Sequence, residues 1–303
     1  MKYELILIRY GEIALKAKQT RKRFENTLVN NIKDALKTKN LENKLGKEWG
    51  RIYIYSEQIE KCVSVLHKVF GIASISSAIQ TDSKITAISK IAKSIFEEKL
   101  ESGKSFAIRV KRTGDHDFTS QDVAVQLGDE IVKATGASVD LTNPDFELFI
   151  EIRNDKAYLF IEKIKGYSGM PVGTQGNILA LIDTPHAILA SWYLIHRGCK
   201  PIFLSTNGIN KDVLDKFLNY WFIKSNIIEI SPKGSIYEQI DKISSEHNCD
   251  AIVSGLTIFD NSENVLENIK QLKKQLNLPV LHPLIAMDKE EINRKLKEIG
   301  LVI

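Results

Sequence analysis

From residue 178 onward, short apolar runs alternate with stretches of helical periodicity. That alternation constrains the fold more than any other feature of the chain. Residues 178–182, 201–205, 227–230, 251–254 and 280–285 have the character of buried strands. Between them, 185–197, 211–224, 236–247, 261–276 and 289–299 read as helices. Five strands separated by helices predict a doubly wound parallel sheet, α/β in class. Such a sheet takes ligands at the carboxyl ends of its strands, near the switch in strand order.

Upstream the pattern differs. Residues 3–9 form an apolar run of strand length, and 21–36 place Phe24, Leu28, Ile32 and Leu36 at helical spacing. RIYIY at 51–55 alternates as a half-exposed strand. Residues 58–69 repeat the helical pattern, and 72–79 alternate again. This β–α–β–α–β succession predicts a small α+β domain over 1–80, ferredoxin-like in outline.

A second unit is expected over 81–168. It has a helix at 85–100, then FAIRVKR at 106–112, whose alternation puts Arg109 and Lys111 on the wet face. Ser120 is positioned to cap a helix over 121–135. Strands at 146–152 and 156–161 are joined through Arg153-Asn154-Asp155 as a hairpin. Four glycines and a proline in the thirteen residues of KGYSGMPVGTQGN (165–177) mark a break. Residues 169–177 read as a linker loop, and 178–303 as the third domain.

A length of 303 residues with 43% hydrophobic and 26% charged residues excludes a largely disordered chain. No apolar run approaches membrane-spanning length, so no membrane partner is expected. MKYELILIRYGE lacks a signal-peptide core, which predicts a cytoplasmic protein. The net charge of +4 is mild but uneven. Residues 1–50 hold 12 Lys/Arg against 6 Asp/Glu, whereas 171–303 hold 14 against 15. Lys16, Lys18, Arg21, Lys22 and Arg23 fall within eight residues, an electropositive patch of the kind phosphates seek. The alternative is a solvated helix start. Cys62, Cys199 and Cys249 are widely spaced, which points to buried thiols rather than a zinc site or disulfides.

Several stretches carry a family resemblance. RYGEIALKAK (9–18) resembles the opening of tRNA 4-thiouridine synthetases. FAIRVKRTGDHDFTSQDVAVQLGDEI (106–131) looks like the core of a THUMP domain, and 139–176 resembles its end and the loop that follows. LPVLHPLIAMDKEEI (278–292) is similar to a late segment of the same family. The resemblance implies a ferredoxin-like domain, a THUMP RNA-binding domain and a PP-loop ATP-pyrophosphatase-like domain. It also implies tRNA as partner, gripped at its 3′ end by the first two domains. The RNA-binding residues would be Arg9, Gly11, Glu12, Lys16, Lys18, Arg21, Lys22, Arg23, Arg109, Lys111, Arg112 and Ser120. Arg9 and Glu12 could instead pair with each other and shape the first turn. Family members commonly dimerise, so a homodimer is a further expectation.

Two departures from the family concern catalysis. Its Ser-Gly-Gly-x-Asp-Ser loop cradles ATP phosphates, whereas this chain reads LALIDTPHAILASWYL at 179–194, without Gly-Gly. Asp183 and Thr184 would be the vestige of a nucleotide site, or simply a helix cap followed by proline. The acidic, Gln-containing stretch after the fourth strand is replaced by SGLTIFDNSENV (254–265). The family's sulfur-carrying cysteines lie beyond the helix at 289–299 or in an added domain. The sequence ends at Ile303, so neither is expected here. The expected function is tRNA binding with a degenerate PP-loop domain and no catalytic or metal-ligating residues. The chain would then present tRNA to a separate sulfur-transfer enzyme. The alternative is a divergent tRNA sulfurtransferase making 4-thiouridine with ATP, Mg and an external sulfur carrier.

Overall fold

The computed structural model describes residues 2–205, 211–230, 233–259 and 265–301. In chain order its strands are β1 (Leu5–Arg9), β2 (Lys44–Glu48), β3 (Arg51–Tyr55), β4 (Ser74–Asp82), β5 (Phe106–Thr113), β6 (Phe146–Arg153), β7 (Lys156–Phe160), β8 (Ile164–Lys165), β9 (Asn177–Ile182), β10 (Lys200–Ser205), β11 (Ile227–Glu229), β12 (Cys249–Val253) and β13 (Val280–Leu281). The helices are α1 (Lys18–Thr38), α2 (Ile59–Leu66), α3 (Ile85–Lys99), α4 (Ser120–Thr135), α5 (Pro185–His196), α6 (Lys211–Trp221), α7 (Ile236–Glu246), α8 (Val265–Gln275) and α9 (Lys289–Glu298). Two compact units result. One comprises Met1–Arg9, Lys39–His67 and Ser74–Lys165, the other Tyr10–Thr38, Lys68–Ala73 and Gly166–Ile303.

The first unit is built on one sheet of order β2-β3-β1-β4-β7-β6-β5, with β8 beside β4. The strand expected at 72–79 runs on to Asp82 and serves both halves of the sheet. Its first part pairs with β1, from Ser74 opposite Arg9 to Ala78 opposite Leu5. Its last part pairs with β7, from Ile79 opposite Leu159 to Asp82 opposite Lys156. Helices α3 and α4 bury Ile88, Phe96, Val123 and Leu127 against Ile108, Leu148, Ile150 and Leu159 on one face. On the other face Tyr53 stacks on Tyr158 at 5.0 Å, beside Leu5, Leu7 and Phe160. Strand β5 pairs in parallel with β6, so the carboxyl ends of both point the same way.

Three sequence expectations change here. An unanticipated strand, β2, pairs with β3 at the sheet edge, and its KLGKE sequence carries the charges that protect such edges. The cap of α4 is Thr119, not Ser120. Thr119 Oγ1 accepts from Asp122 N–H, and Asp122 Oδ2 accepts from Thr119 N–H, a reciprocal capping box. Ser120 is the first helical residue. Arg9 and Glu12 do not pair with each other: Arg9 holds Glu151, and Glu12 holds Arg197.

In the second unit all sheet neighbours are parallel, in the order β11-β10-β9-β12-β13. Ile178, Ala180 and Ile182 of β9 pack with Ile188, Leu214, Phe217 and Ile292 on one face. Leu179 packs with Ile202, Ile240, Ile252 and Leu276 on the other. The doubly wound parallel sheet expected from the sequence is therefore present, with its switch in strand order between β9 and β12. Strand β13 is shorter than 280–285 because Pro283 has no N–H, and the chain turns there, Ile285 N–H bonding His282 C=O at 3.1 Å. Of the stretch at 254–265, residues 260–264 lie outside the described residues.

The glycine-rich loop is pinned rather than loose. The Gly198 carbonyl, just past α5, accepts N–H bonds from Gly173, Thr174 and Gln175 at 2.9, 3.0 and 3.1 Å. Gly198 itself has φ +99°, and a Cβ there would collide with Thr174 Oγ1.

Candidate nucleic-acid interface

Within the first unit, a cleft of ≈ 360 Å³ opens over the carboxyl ends of β5 and β6 and the start of α4. Lys111, Arg112 and Ser120, all singled out from the sequence, line it together. Arg51 and Arg153 also line it, and sequence reasoning missed both. Their signal was a cation at each end of a strand beside a turn, which resembles ordinary surface charge. One carboxylate, Glu151, lies among these four cations. It is already committed, with Oε1 2.7 Å from Arg9 Nε and Oε2 2.8 Å from Arg51 Nε. Burial pushes the Glu151 carboxyl up, but Arg9 and Arg51 outweigh it and hold the group below its ordinary value. The cleft is thus cationic, with Ser120 offering a hydroxyl at its wall, and it suits a phosphate.

Arg9 is the interior member of this network. Its Nη1 donates to Ser76 Oγ at 3.0 Å, and its guanidinium lies 4.6 Å from the Phe160 ring centroid. Arg109 lies along β5, with Nε 2.8 Å from Glu147 Oε1 and Nη2 donating to Leu141 C=O at 2.8 Å. Arg112 Nη1 donates to Gly114 C=O at 3.1 Å.

The basic run belongs to the second unit. Gly11 opens a single 3₁₀ turn, Glu12–Leu15, that leads into α1. A Cβ on Gly11 would meet only Ala73 at 3.8 Å, so packing does not call for glycine there. Glu12 forms a bidentate pair with Arg197, at 2.8 and 3.0 Å, and the Arg197 hydrogen bond holds its carboxyl below the usual range. Lys16, Lys18, Lys22 and Arg23 are exposed. Arg21 is half-buried and lies 3.9 Å from Glu25, which accepts from Tyr10 Oη at 2.6 Å. Cations in the first turn oppose the helix dipole, and that turn itself holds no acidic residue. Such a placement favours an anionic ligand over helix stability.

At the carboxyl end of the parallel sheet, Asp183 and Thr184 alone separate β9 from α5. Both are exposed. Pro185 is the first helical residue and has no N–H, and Ala187 N–H is bonded to Thr184 C=O at 3.0 Å. Thr184 makes no side-chain cap bond. Gly255, beyond β12, presses its backbone on the same turn, and a Cβ there would lie 2.5 Å from Ala187 N. Among the described residues, the β9–α5 turn has no glycine and begins its helix with a proline that lacks an N–H. Two clefts of ≈ 230 and ≈ 290 Å³, both lined by Lys200 and Lys224, lie instead towards the amino ends of the strands.

The cysteines are poor nucleophiles as placed. Cys62 and Cys249 are buried and Cys199 half-buried. Burial, with help from Asp250, raises the Cys199 thiol and pushes Cys249 up to about 11. Among the described residues no group of His, Cys, Asp and Glu is placed to hold a metal, and no helix is long and apolar enough to cross a membrane.

Three family models match: the ThiI ferredoxin-like domain over residues 5–76, the THUMP domain over 82–162 and the thiamine biosynthesis protein (ThiI) over 209–302. A "Probable tRNA sulfurtransferase" of Methanobrevibacter smithii is 32% identical over 340 aligned positions, covering 99% of this chain and 87% of the relative. The chain belongs to the tRNA sulfurtransferase family. Its architecture is the family's: ferredoxin-like, THUMP and parallel-sheet ThiI domains. PH1313 from Pyrococcus horikoshii has a similar structure, with a TM-score of 0.85, 29% identity and coverage of 98% of this chain and 100% of that one. A 4-thiouridine synthetase solved with RNA and bound ATP has a TM-score of 0.81 and 26% identity, over 99% of this chain and 86% of that one. The THUMP match contains Lys111, Arg112, Ser120 and Arg153, while the tRNA sulfurtransferase relative's aligned stretch exceeds the 303 residues here. That relative therefore carries segments with no counterpart in this chain.

Proposed function

We propose that this member of the tRNA sulfurtransferase family binds tRNA and does not adenylate it. The cleft of Arg51, Lys111, Arg112 and Arg153 takes backbone phosphates, and the basic run from Lys16 to Arg23 supplies a second phosphate-binding surface. The observation that carries the non-catalytic part is the β9–α5 junction. Two residues, a proline at the first helical position and the Gly255 backbone occupy the place where a phosphate cradle would need open N–H groups. The solved 4-thiouridine synthetase with RNA supports the choice of RNA as ligand. The high-lying thiols of Cys199 and Cys249 support an external source for any sulfur step, hence a separate sulfur-transfer enzyme as partner. A homodimer belongs to the same reading.

A second reading is favoured by the ATP bound in that solved relative and by the sulfurtransferase names of the sequence relatives. In it, Asp183 and Thr184 still hold ATP and the chain makes 4-thiouridine with an external sulfur carrier. ATP–pyrophosphate exchange by the purified chain with tRNA separates the two. The proposal expects no exchange above background, together with salt-sensitive tRNA binding. Robust exchange overturns it in favour of the second reading, whereas 4-thiouridine left unchanged in tRNA on deleting the gene counts against the second.

A further inference from the structure

The hairpin between β2 and β3 turns through Trp49 and Gly50, the latter at φ +76°. Trp49 leaves 65% of its surface exposed. An indole is the costliest side chain to leave in water, and this one sits on a backbone held from two directions. Arg153 Nη2 donates to the Trp49 carbonyl at 2.5 Å, and Arg51 Nη1 donates to the Gly50 carbonyl at 2.7 Å. Both arginines line the cationic cleft. Glu48, the residue before Trp49, accepts from Tyr53 Oη at 3.0 Å and lies 3.6 Å from Arg153 Nε. The backbone of the turn that carries this exposed indole is thus held by two of the side chains that make the cleft positive.

We propose that Trp49 is a stacking platform for an unpaired nucleobase of RNA whose phosphates occupy the cleft of Arg51, Lys111, Arg112 and Arg153. The inference rests on the RNA-binding reading above and adds a preference to it. Proteins that hold single strands combine a cationic track for the backbone with an aromatic face for the bases. A duplex hides its base faces between neighbours, so Trp49 selects single-stranded RNA, while the cations bind either form.

The test is a titration of the full chain with a labelled single-stranded oligoribonucleotide, the same strand with abasic sites, and its duplex. Trp49→Ala should weaken binding of the intact single strand about tenfold or more and leave the abasic strand and the duplex unaffected. Trp49→Phe should restore most of the affinity, because a ring is kept. The salt dependence should be the same in Trp49→Ala as in the unsubstituted chain, since every cation that meets a phosphate is still present. As a second measurement, RNA should quench indole emission in the unsubstituted chain and fail to do so in Trp49→Phe. If the unsubstituted chain and Trp49→Ala bind the intact strand equally, with salt-sensitive affinity, the stacking role is wrong and the RNA-binding reading stands. If the unsubstituted chain binds none of the three probes, both fall.

Discussion

Arg9 Nε lies 2.7 Å from Glu151 Oε1, so the end of the first strand is tied to a carboxylate 142 positions away. The two side chains are 12% and 6% exposed, and Arg51 closes the group at 2.8 Å. Removing the carboxylate would leave two guanidinium groups desolvated without a counter-charge. Glu151→Gln should therefore cost about 3–5 kcal/mol, measured by denaturant unfolding. A loss below about 1 kcal/mol would show that water reaches the network.

The same residue sets an acid limit. Its folded carboxyl lies below the ordinary value of 4.5, so the stabilisation is complete above that value and is lost as pH falls through the lowered one. Unfolding midpoints followed from pH 7 down to about 3 should decline more steeply for the unsubstituted chain than for Glu151→Gln. Parallel declines would remove Glu151 as the titrating group.

Replacing Arg109, Lys111 and Arg112 with alanine should weaken tRNA binding while the fold survives. The Arg109–Glu147 pair is more than a third exposed on both sides and is worth no more than about 1 kcal/mol. For a single strand, removing one cation that neutralises a phosphate should lower the salt slope by roughly 0.7. Binding that survives the triple change would place the RNA elsewhere.

Gly255→Ala should destabilise the chain by about 1–3 kcal/mol, because its Cβ would lie 2.5 Å from the Ala187 nitrogen in the first turn of α5. A thermal melt decides this. An unchanged midpoint would mean that the loop after β12 can lift away, leaving the helix start open.

Thiol alkylation offers an independent check. Cys249, pushed up to about 11, should react slowly with iodoacetamide at neutral pH and faster as pH rises towards that value. Mass spectrometry of the folded chain would locate the adduct. Rapid labelling of Cys249 at neutral pH would indicate a reactive thiolate and revive it as a sulfur carrier.

The parallel sheet was legible because its strands are buried on both faces and read as unbroken apolar runs. The edge strand β2 was not, since Lys44, Lys47 and Glu48 erase the alternation that marks a strand. Lys111, Arg112 and Ser120, which line one cleft, could be singled out because alternation and helix-start signals are local. The Arg9 partner was hidden because pairing with Glu151 depends on the register of four strands, which no local pattern reports. For the same reason a pair of Arg9 with Glu12 stood as a local alternative, while Glu12 in fact holds Arg197. Thr119 was within reach of sequence reasoning, because Asp122 three residues later completes its capping box.

Strand β4 lends one stretch to β1 and the next to β7. A gene fragment ending near codon 80 would encode a protein whose β1 partner is frayed, and one starting there would leave β7 with a bare edge ready to recruit another chain. The strands on either side of residue 80 are for that reason halves of one sheet, and a cut between them breaks both.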